Sequence, residues 1–259
     1  MEEAELRVER LQQHVMVVTI NRPDARNAIS GAVAEGIGKA VEAAENDPDI
    51  RVVLLASTGD KSFSAGADLK EVAAGRAHAL MTASGGFAGL IEAQRRTPWI
   101  AVVDAPAHGG GVEICLACDM VVASRRASFA LPEVARGIIA GAGGVFRLPR
   151  RIPAAIAHEM IATGAAISAE RALALGLINR LAEPGEAMVE AVRLAEEVAA
   201  NAPLAVQASL SLARRAADLD EAGLFDAMRS EARAVVASAD AKEGPRAFIE
   251  KRAPVWQGR

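Results

Sequence analysis

Residues Ala105-Pro106-Ala107-His108-Gly109-Gly110-Gly111-Val112-Glu113-Ile114-Cys115-Leu116-Ala117-Cys118-Asp119 follow an apolar run and read as the opening of a helix. Three successive glycines let the backbone approach a ligand with no Cβ in the way, and amides at a helix start have no intrahelical acceptor. They form a small positive pole suited to an anion or a developing oxyanion rather than to a metal. Glu113 lies one turn inside, within reach of whatever the glycines hold. The stretch reads as half of an active site. It also contains both cysteines of the chain, Cys115 and Cys118. Without a second pair or a histidine cluster at ligand spacing, zinc is not expected, and inside an apolar helix the pair is read as buried packing rather than a redox centre.

Working outward, Trp99 to Val103 is a buried strand that delivers the chain to the glycines, and residues 51–57 form another. Such nearly continuous apolar runs mark a sheet covered on both faces, hence at least partly parallel. Val15 to Ile20 is a strand ended by Asn21-Arg22-Pro23-Asp24, and a helix is expected over about 31–45, followed by a turn at 46–49. Phe63 to Glu71 combines small residues with an acidic helix start, a loop that leaves free amides at the end of a strand, where α/β proteins bind ligands. An amphipathic helix is expected over 83–96. Residues 120–124 and 128–131 are short strands, the second stopped by Pro132-Glu133.

Several motifs fail. The glycine-rich run 137–144 does not fit G-x-G-x-x-G, and no G-K-S/T follows. His158-Glu159 begins like a zinc-protease motif, but position 162 is alanine. From about 186 onward the composition turns to Ala, Leu, Glu and Arg, with helices near 186–200, 203–216, 220–238 and 241–251, and with Pro203 and Pro245 close to first-turn positions. The chain therefore divides into an α/β core over 1–185 and a C-terminal helical region over 186–259.

The 259 residues are 51% hydrophobic and 24% charged, as expected of a globular chain. A net charge of −4 and a pI near 5.7 argue against nucleic acid or an anionic membrane as the main partner. The acidic N-terminus is unlike a targeting peptide and no apolar run is long enough to span a bilayer, so a cytoplasmic location is expected.

Two backbone amides in post-strand loops, Ala67 and Gly110, together with two carboxylates, Glu113 and Glu133, are the parts needed to stabilise an enolate and to move protons to and from carbon. Residue types alone favour solvated or capping carboxylates, since glutamates near turns are common. The set of motifs narrows this. Asn21-Arg22-Pro23 with Arg26-Asn27-Ala28, Ser64-Ala65-Gly66-Ala67-Asp68-Leu69-Lys70, Gly109-Gly110-Gly111-Val112-Glu113 to Cys118-Asp119, Leu131-Pro132-Glu133 and Gly141-Ala142-Gly143-Gly144 resemble the enoyl-CoA hydratase/isomerase (crotonase) superfamily in order and spacing.

The resemblance covers nearly the whole chain, through Ala247 to Arg252. It implies a spiral of ββα units, a C-terminal helical region used in trimerisation, and a homotrimer or a hexamer made of two trimers. It also implies acyl-CoA substrates, with coenzyme A part of the substrate and no separate cofactor or metal. By the same resemblance Ala67 and Gly110 supply the oxyanion hole, Glu133 exchanges the α-carbon proton and Glu113 handles the water that adds at the β-carbon. Arg26, Ala65, Asp68, Leu69 and Lys70 fall in the substrate- and CoA-binding segment, with Phe248 and Lys251 reaching a neighbouring subunit's ligand. Asp68 also reads as a first-turn support for its loop.

Retention of both glutamates resembles the hydratases of the superfamily rather than its isomerases or hydrolases; a non-catalytic acyl-CoA- or RNA-binding homologue is the reading of a different class. Residues 131–163 and 243–259 are similar to carnitinyl-CoA dehydratases as well as to general hydratases. A trimethylammonium group needs an aromatic cage or a carboxylate, and this chain has no tyrosine. Three departures bear on substrate choice: Asp104-Ala105 stands for the usual Asn-Gly, Ala140 for a common proline, and His108 for an apolar residue. His108 reads either as structural or as lining the acyl pocket or tuning a glutamate.

Overall fold

The computed structural model describes residues 4–11 and 14–259. A six-stranded sheet contains β1 (Leu6–Leu11), β2 (Val15–Ile20) and β3 (Val52–Ser57), with α1 (Gly31–Asn46) between the last two. Beyond β3 come α2 (Leu69–Ala73), the short hairpin β4 (Met81–Thr82) and β5 (Gly86–Phe87), then β6 (Trp99–Val103), β7 (Ala107–His108) and α3 (Gly110–Ala117). The chain continues through β8 (Met120–Ser124), β9 (Ser128–Ala130), α4 (Gly144–Arg151), α5 (Ala154–Thr163), β10 (Ile167–Ser168), α6 (Ala169–Leu175) and β11 (Arg180–Ala182). Four helices close it: α7 (Ala187–Ala199), α8 (Pro203–Arg215), α9 (Glu221–Val236) and α10 (Asp240–Glu250).

In the large sheet the order is β1-β2-β3-β6-β8-β11; β1 is antiparallel to β2 and every other pairing is parallel. A second layer runs alongside it. There β7 pairs in parallel with β9, β9 is antiparallel to β10, and single bridges join Ser64 to Ala107 and Ile29 to Ala67. Each of β2, β3, β6 and β8 is thus followed by a short extended segment in the second layer and then by a helix. This is the expected spiral of ββα units. It places the ends of the segments at 64–67, 107–108 and 128–130 side by side.

The period-two geometry of strands explains the continuous apolar runs. Val53 and Leu55 point into the larger core with α1 and α3, while Val52 and Leu54 point to the opposite face. There Ala187, Ala191, Ala195 and Ala199, an i,i+4 stripe of small side chains on α7, pack against Ile100, Val102 and Val122. The helical region that starts near residue 186 therefore opens by covering the sheet.

Strands and helices expected from periodicity form within one or two residues of their expected bounds, including α1, β3, β6 and α7 to α10. Segment 83–96 does not form its expected helix. A Cβ on Gly89, which has φ +66°, would lie 2.2 Å from the Ala34 carbonyl oxygen, so the segment is pressed onto α1 as a hairpin and turns. Pro245 is the sixth residue of α10 rather than a first-turn residue. Sequence reasoning had no counterpart for α4 to α6, whose pattern Pro149 and Pro153 interrupt, or for β1, an exposed edge strand without apolar alternation. Among the described residues no helix is long and apolar enough to cross a membrane.

One buried charge cluster fixes α3 and the helical region together. Asp119 just beyond α3 pairs with Arg95 at 2.8 Å and with Arg214 of α8 at 2.7 Å, and accepts the Trp99 amide at 2.9 Å. Burial alone would raise its pKa, but Arg95 and Arg214 outweigh burial and hold it at about 2. Because the folded value lies below the ordinary 3.8, this stabilisation is complete above the ordinary value and is lost as pH falls towards about 2. Asp119→Asn, which leaves two guanidiniums uncompensated, is expected to destabilise the protein by about 3–5 kcal/mol near neutral pH. In thermal unfolding series the gap to wild type should narrow below the ordinary aspartate value; a gap independent of pH through that window would contradict the assignment.

Candidate active site

The loop between β2 and α1 sets one wall. Arg26 and Asn27 both adopt left-handed backbone, with φ of 52° and 51°. Asn27 compensates with its buried carboxamide: Nδ2 donates to the Thr58 and Ser62 carbonyls at 2.8 Å each, and Oδ1 accepts the Arg22 amide at 2.9 Å. Arg22 in turn pairs with Asp68 at 2.9 Å and donates to the Ala28 carbonyl at 2.6 Å. Asp68 caps α2 by accepting the Lys70 amide at 2.9 Å. The Asp68 carboxylate is thus engaged by Arg22 and by its own helix, in line with the support reading.

Between these anchors the chain presents Ala67. The Ile29 amide donates to Gly66 and the Ile29 carbonyl accepts from Asp68, at 2.8 and 3.0 Å. In this parallel bridge the Ala67 amide points away from Ile29, and Ala67 itself lines the site cavity. Gly110, the first residue of α3, also has an amide with no acceptor inside its helix. The two meet because neither loop carries a side chain at the contact. A Cβ on Gly66, which has φ +86°, would lie 2.7 Å from the Gly110 nitrogen, and one on Gly111 would lie 2.3 Å from the Ser64 oxygen.

Glu113 is 4% exposed, and its Oε1 accepts the Gly144 amide at 2.8 Å. Burial raises its pKa, the Gly144 and Ala142 amides and Arg147 oppose the rise, and Glu133 adds to it. Glu133 is the second residue of the 3₁₀ helix Pro132–Arg136, whose entry Pro132 favours and whose exit Gly137 permits with φ +72°. Burial is the main cause of its raised pKa, against which its own backbone and Arg136 act. Its Oε2 is buried and takes no hydrogen bond from the described residues, while a Cβ on Gly109 would crowd its Oε1 at 2.9 Å. Among the described residues only backbone amides hold Glu113, and no arginine is paired with either glutamate.

These groups line one cavity of about 850 Å³. Its wall includes Ala67, Gly110, Glu113 and Glu133, and also Arg26, Ala65, Asp68, Leu69 and Lys70. Phe248 and Lys251 are exposed on and just after α10 and take no part in this wall. His108 is half-buried in the wall with Nε2 3.0 Å from Ser128 Oγ; burial and then Arg136 lower its pKa. Arg136, Glu92 and Phe87 also line the cavity, and sequence reasoning passed over them. Only Arg136 had a usable signal, its i+3 spacing from Glu133. Cys115 and Cys118 are buried, and burial pushes the Cys118 thiol up to about 12, so both are inert packing. A second cavity, of about 670 Å³, lies against α4 and α8 and contains neither glutamate.

Residues 10–259 match the family model described as enoyl-CoA hydratase/isomerase. The chain belongs to the enoyl-CoA hydratase/isomerase family. It is an enzyme of hydratase/dehydratase type. A carnitinyl-CoA dehydratase of Salmonella typhi is 42% identical over 250 residues, 95% of each chain. Among solved structures, an enoyl-CoA hydratase from Mycobacterium tuberculosis H37Rv superposes with a TM-score of 0.95 at 42% identity, covering 99% of this chain and 100% of that one. A carnitinyl-CoA hydratase from Mycobacterium avium gives a TM-score of 0.77 at 44% identity, with all of both chains covered. Within the family, then, overall similarity alone does not separate the two substrate classes.

The seat of Glu113 depends on Arg147, which donates to the Ile91 carbonyl at 2.7 Å and to the Ala142 carbonyl at 3.5 Å, fixing the loop whose amides hold the carboxylate. Arg147→Ala should lower kcat on an enoyl-CoA on the order of 10–100-fold with little change in KM. Because Arg147 opposes the raised pKa of Glu113, the acidic limb of the pH–rate profile should move to higher pH in Arg147→Ala and less in Arg147→Lys. An unmoved limb would show that Arg147 only stabilises the fold.

Proposed function

We propose that the protein is an enoyl-CoA hydratase, adding water reversibly across the α,β double bond of an enoyl-CoA thioester. The observation that carries this is two carboxylates of raised pKa, unpaired with any arginine among the described residues, in one cavity whose wall also contains Ala67 and Gly110. The thioester oxygen accepts from the Ala67 and Gly110 amides, and the developing enolate is stabilised by donors that need no reorganisation; the α3 dipole adds to the second. Ionised Glu113, held by the Gly144 amide, takes a proton from water as its oxygen bonds to the β-carbon. Glu133, whose buried Oε2 has no competing partner among the described residues, gives its proton to the α-carbon. The net change is addition of one water. Glu113 ends protonated and Glu133 ionised, and the pair returns to its starting state when Glu113 loses its proton to solvent and Glu133 regains one from it.

Arg26 and Lys70, exposed at the mouth, face the CoA phosphates, and CoA enters only as part of the substrate. The chemistry calls for no metal or other cofactor. Assembly as a homotrimer or hexamer is supported by α9, which buries no residue in the single chain, and by the exposed Phe225, Met228 and Phe248. A second reading, dehydration of carnitinyl-CoA, is favoured by the dehydratase relative and by Glu92 and Phe87 in the wall, a carboxylate and a ring such as a quaternary ammonium requires.

Crotonyl-CoA should lose its conjugated absorbance when incubated with the protein. Glu113→Gln and Glu133→Gln should each lower kcat by roughly 10²–10⁴-fold. The rate should fall on the acidic side as Glu113 gains a proton and on the alkaline side as Glu133 loses one, with both limbs displaced upward from the ordinary carboxylate range by burial. Full activity in either variant would sink this mechanism.

A further inference from the structure

The 3₁₀ helix Pro132–Arg136 carries Glu133 and Arg136 three residues apart, and side chains at i and i+3 of such a helix project from the same face. Both line the cavity. Arg136 is exposed at the cavity rim, and among the described residues its guanidinium has no hydrogen-bond or salt-bridge partner, the Glu133 carboxylate included. Arg22, by contrast, is locked to Asp68 and to a backbone carbonyl within the same wall.

A second polar group stands beside it. His108 occupies a short second-layer strand in register with Ala130, three residues before Glu133, and the Arg136 charge reaches both His108 and Glu133. Ser128 takes up Nε2 of the ring, which leaves Nδ1 with no protein partner among the described residues. With its pKa lowered by burial and by Arg136, the imidazole is neutral near pH 7. When Ser128 Oγ donates to Nε2 the proton sits on Nδ1, which then offers a hydrogen bond without a second positive charge.

A cation on the face of Glu133 works against the raised pKa that a proton-donating glutamate requires. Such a placement is compensated if the substrate itself brings a negative charge to that face. Arg26 and Lys70 belong to the loops at 22–28 and 65–70, the side assigned above to the CoA phosphates, so Arg136 and His108 remain for the acyl group. A planar guanidinium fork matches a carboxylate, and the same charge repels a quaternary ammonium.

We propose that Arg136 and His108 form a carboxylate subsite, and that the preferred substrates are enoyl-CoA thioesters whose acyl chain ends in a second, ionised carboxyl group. This rests on the enoyl-CoA reading above but is tested without turnover. Dissociation constants are measured calorimetrically on the full-length protein for three saturated ligands: butyryl-CoA, its ω-carboxy analogue and its ω-trimethylammonio analogue. The carboxy analogue should bind roughly 10–100-fold more tightly than butyryl-CoA, the range of one charge-assisted pair.

Arg136→Ala should erase that ratio, Arg136→Lys should restore part of it, and His108→Leu should reduce it. A purely structural role for either residue would leave the ratio unmoved. Equal binding of the first two ligands by wild type, or preference for the trimethylammonio ligand, overturns the proposal. So does an Arg136→Ala variant that weakens all three ligands equally, since the guanidinium would then be reading the CoA phosphates. If the ratio behaves as expected but crotonyl-CoA and its ω-carboxy analogue are not hydrated, the subsite stands and the hydratase reading falls.

Discussion

The contact on which the site depends is made by backbone alone. Gly66 lies against the nitrogen of Gly110, and Gly111 lies against the oxygen of Ser64, at separations that no Cβ could share. This brings two amides from chain segments more than forty residues apart into one cavity. It also imposes conditions on the rest of the chain. The loop at 64–68 can hold that approach only if its own ends are fixed, and Arg22, Asn27 and Asp68 fix them through three carbonyls, two amides and an ion pair. The left-handed backbone at Arg26 and Asn27, costly for residues other than glycine, is retained inside that network.

The opposing element must be equally rigid. Of the eight residues of α3, all but Ala117 are buried, so the helix is held on every side rather than along one stripe. Beyond its C-terminal end Asp119 is gripped by Arg95 from the 83–96 segment and Arg214 from the helical region. Sheet, spiral and C-terminal helices therefore converge on one short rod whose other end presents the Gly110 amide and Glu113. A shift of that rod would move donor and carboxylate together.

Much of this was legible in the sequence, and the division follows from physics. Long strands buried on both faces announce themselves as apolar runs, and helices that bury one stripe announce themselves by period; β3, β6, α1 and α7 to α10 were readable for that reason. The second layer was not. It consists of single bridges and two- or three-residue strands, such as Ile29 with Ala67, which are too short to show any period. The failure at 83–96 has a similar root: the apolar spacing there serves packing onto α1, and Gly89 decides the conformation through a contact remote in sequence. In the site, motif spacing singled out Ala67, Gly110, Glu113 and Glu133, which the fold brings into one cavity wall. It could not reveal that Gly144 holds Glu113 or that Arg136 shares the face of Glu133, because those relations arise only once the spiral closes.

The treatment of carboxylates across the molecule separates anchoring from chemistry. Asp119 and Asp68 are buried against guanidiniums, and the pKa of each is lowered despite burial. Glu113 is buried and Glu133 half-buried, neither with such a partner among the described residues, and the pKa of each is raised. Arginine was available nearby in both cases: Arg147 stands close enough to influence Glu113 but donates to the Ile91 and Ala142 carbonyls, and Arg136 shares a helix face with Glu133 without pairing. An ion pair at either glutamate would have fixed its charge and removed it from proton transfer. Holding Glu113 with the neutral Gly144 amide keeps its position fixed while leaving its proton exchangeable, which is the property that a group cycling between acid and base must have.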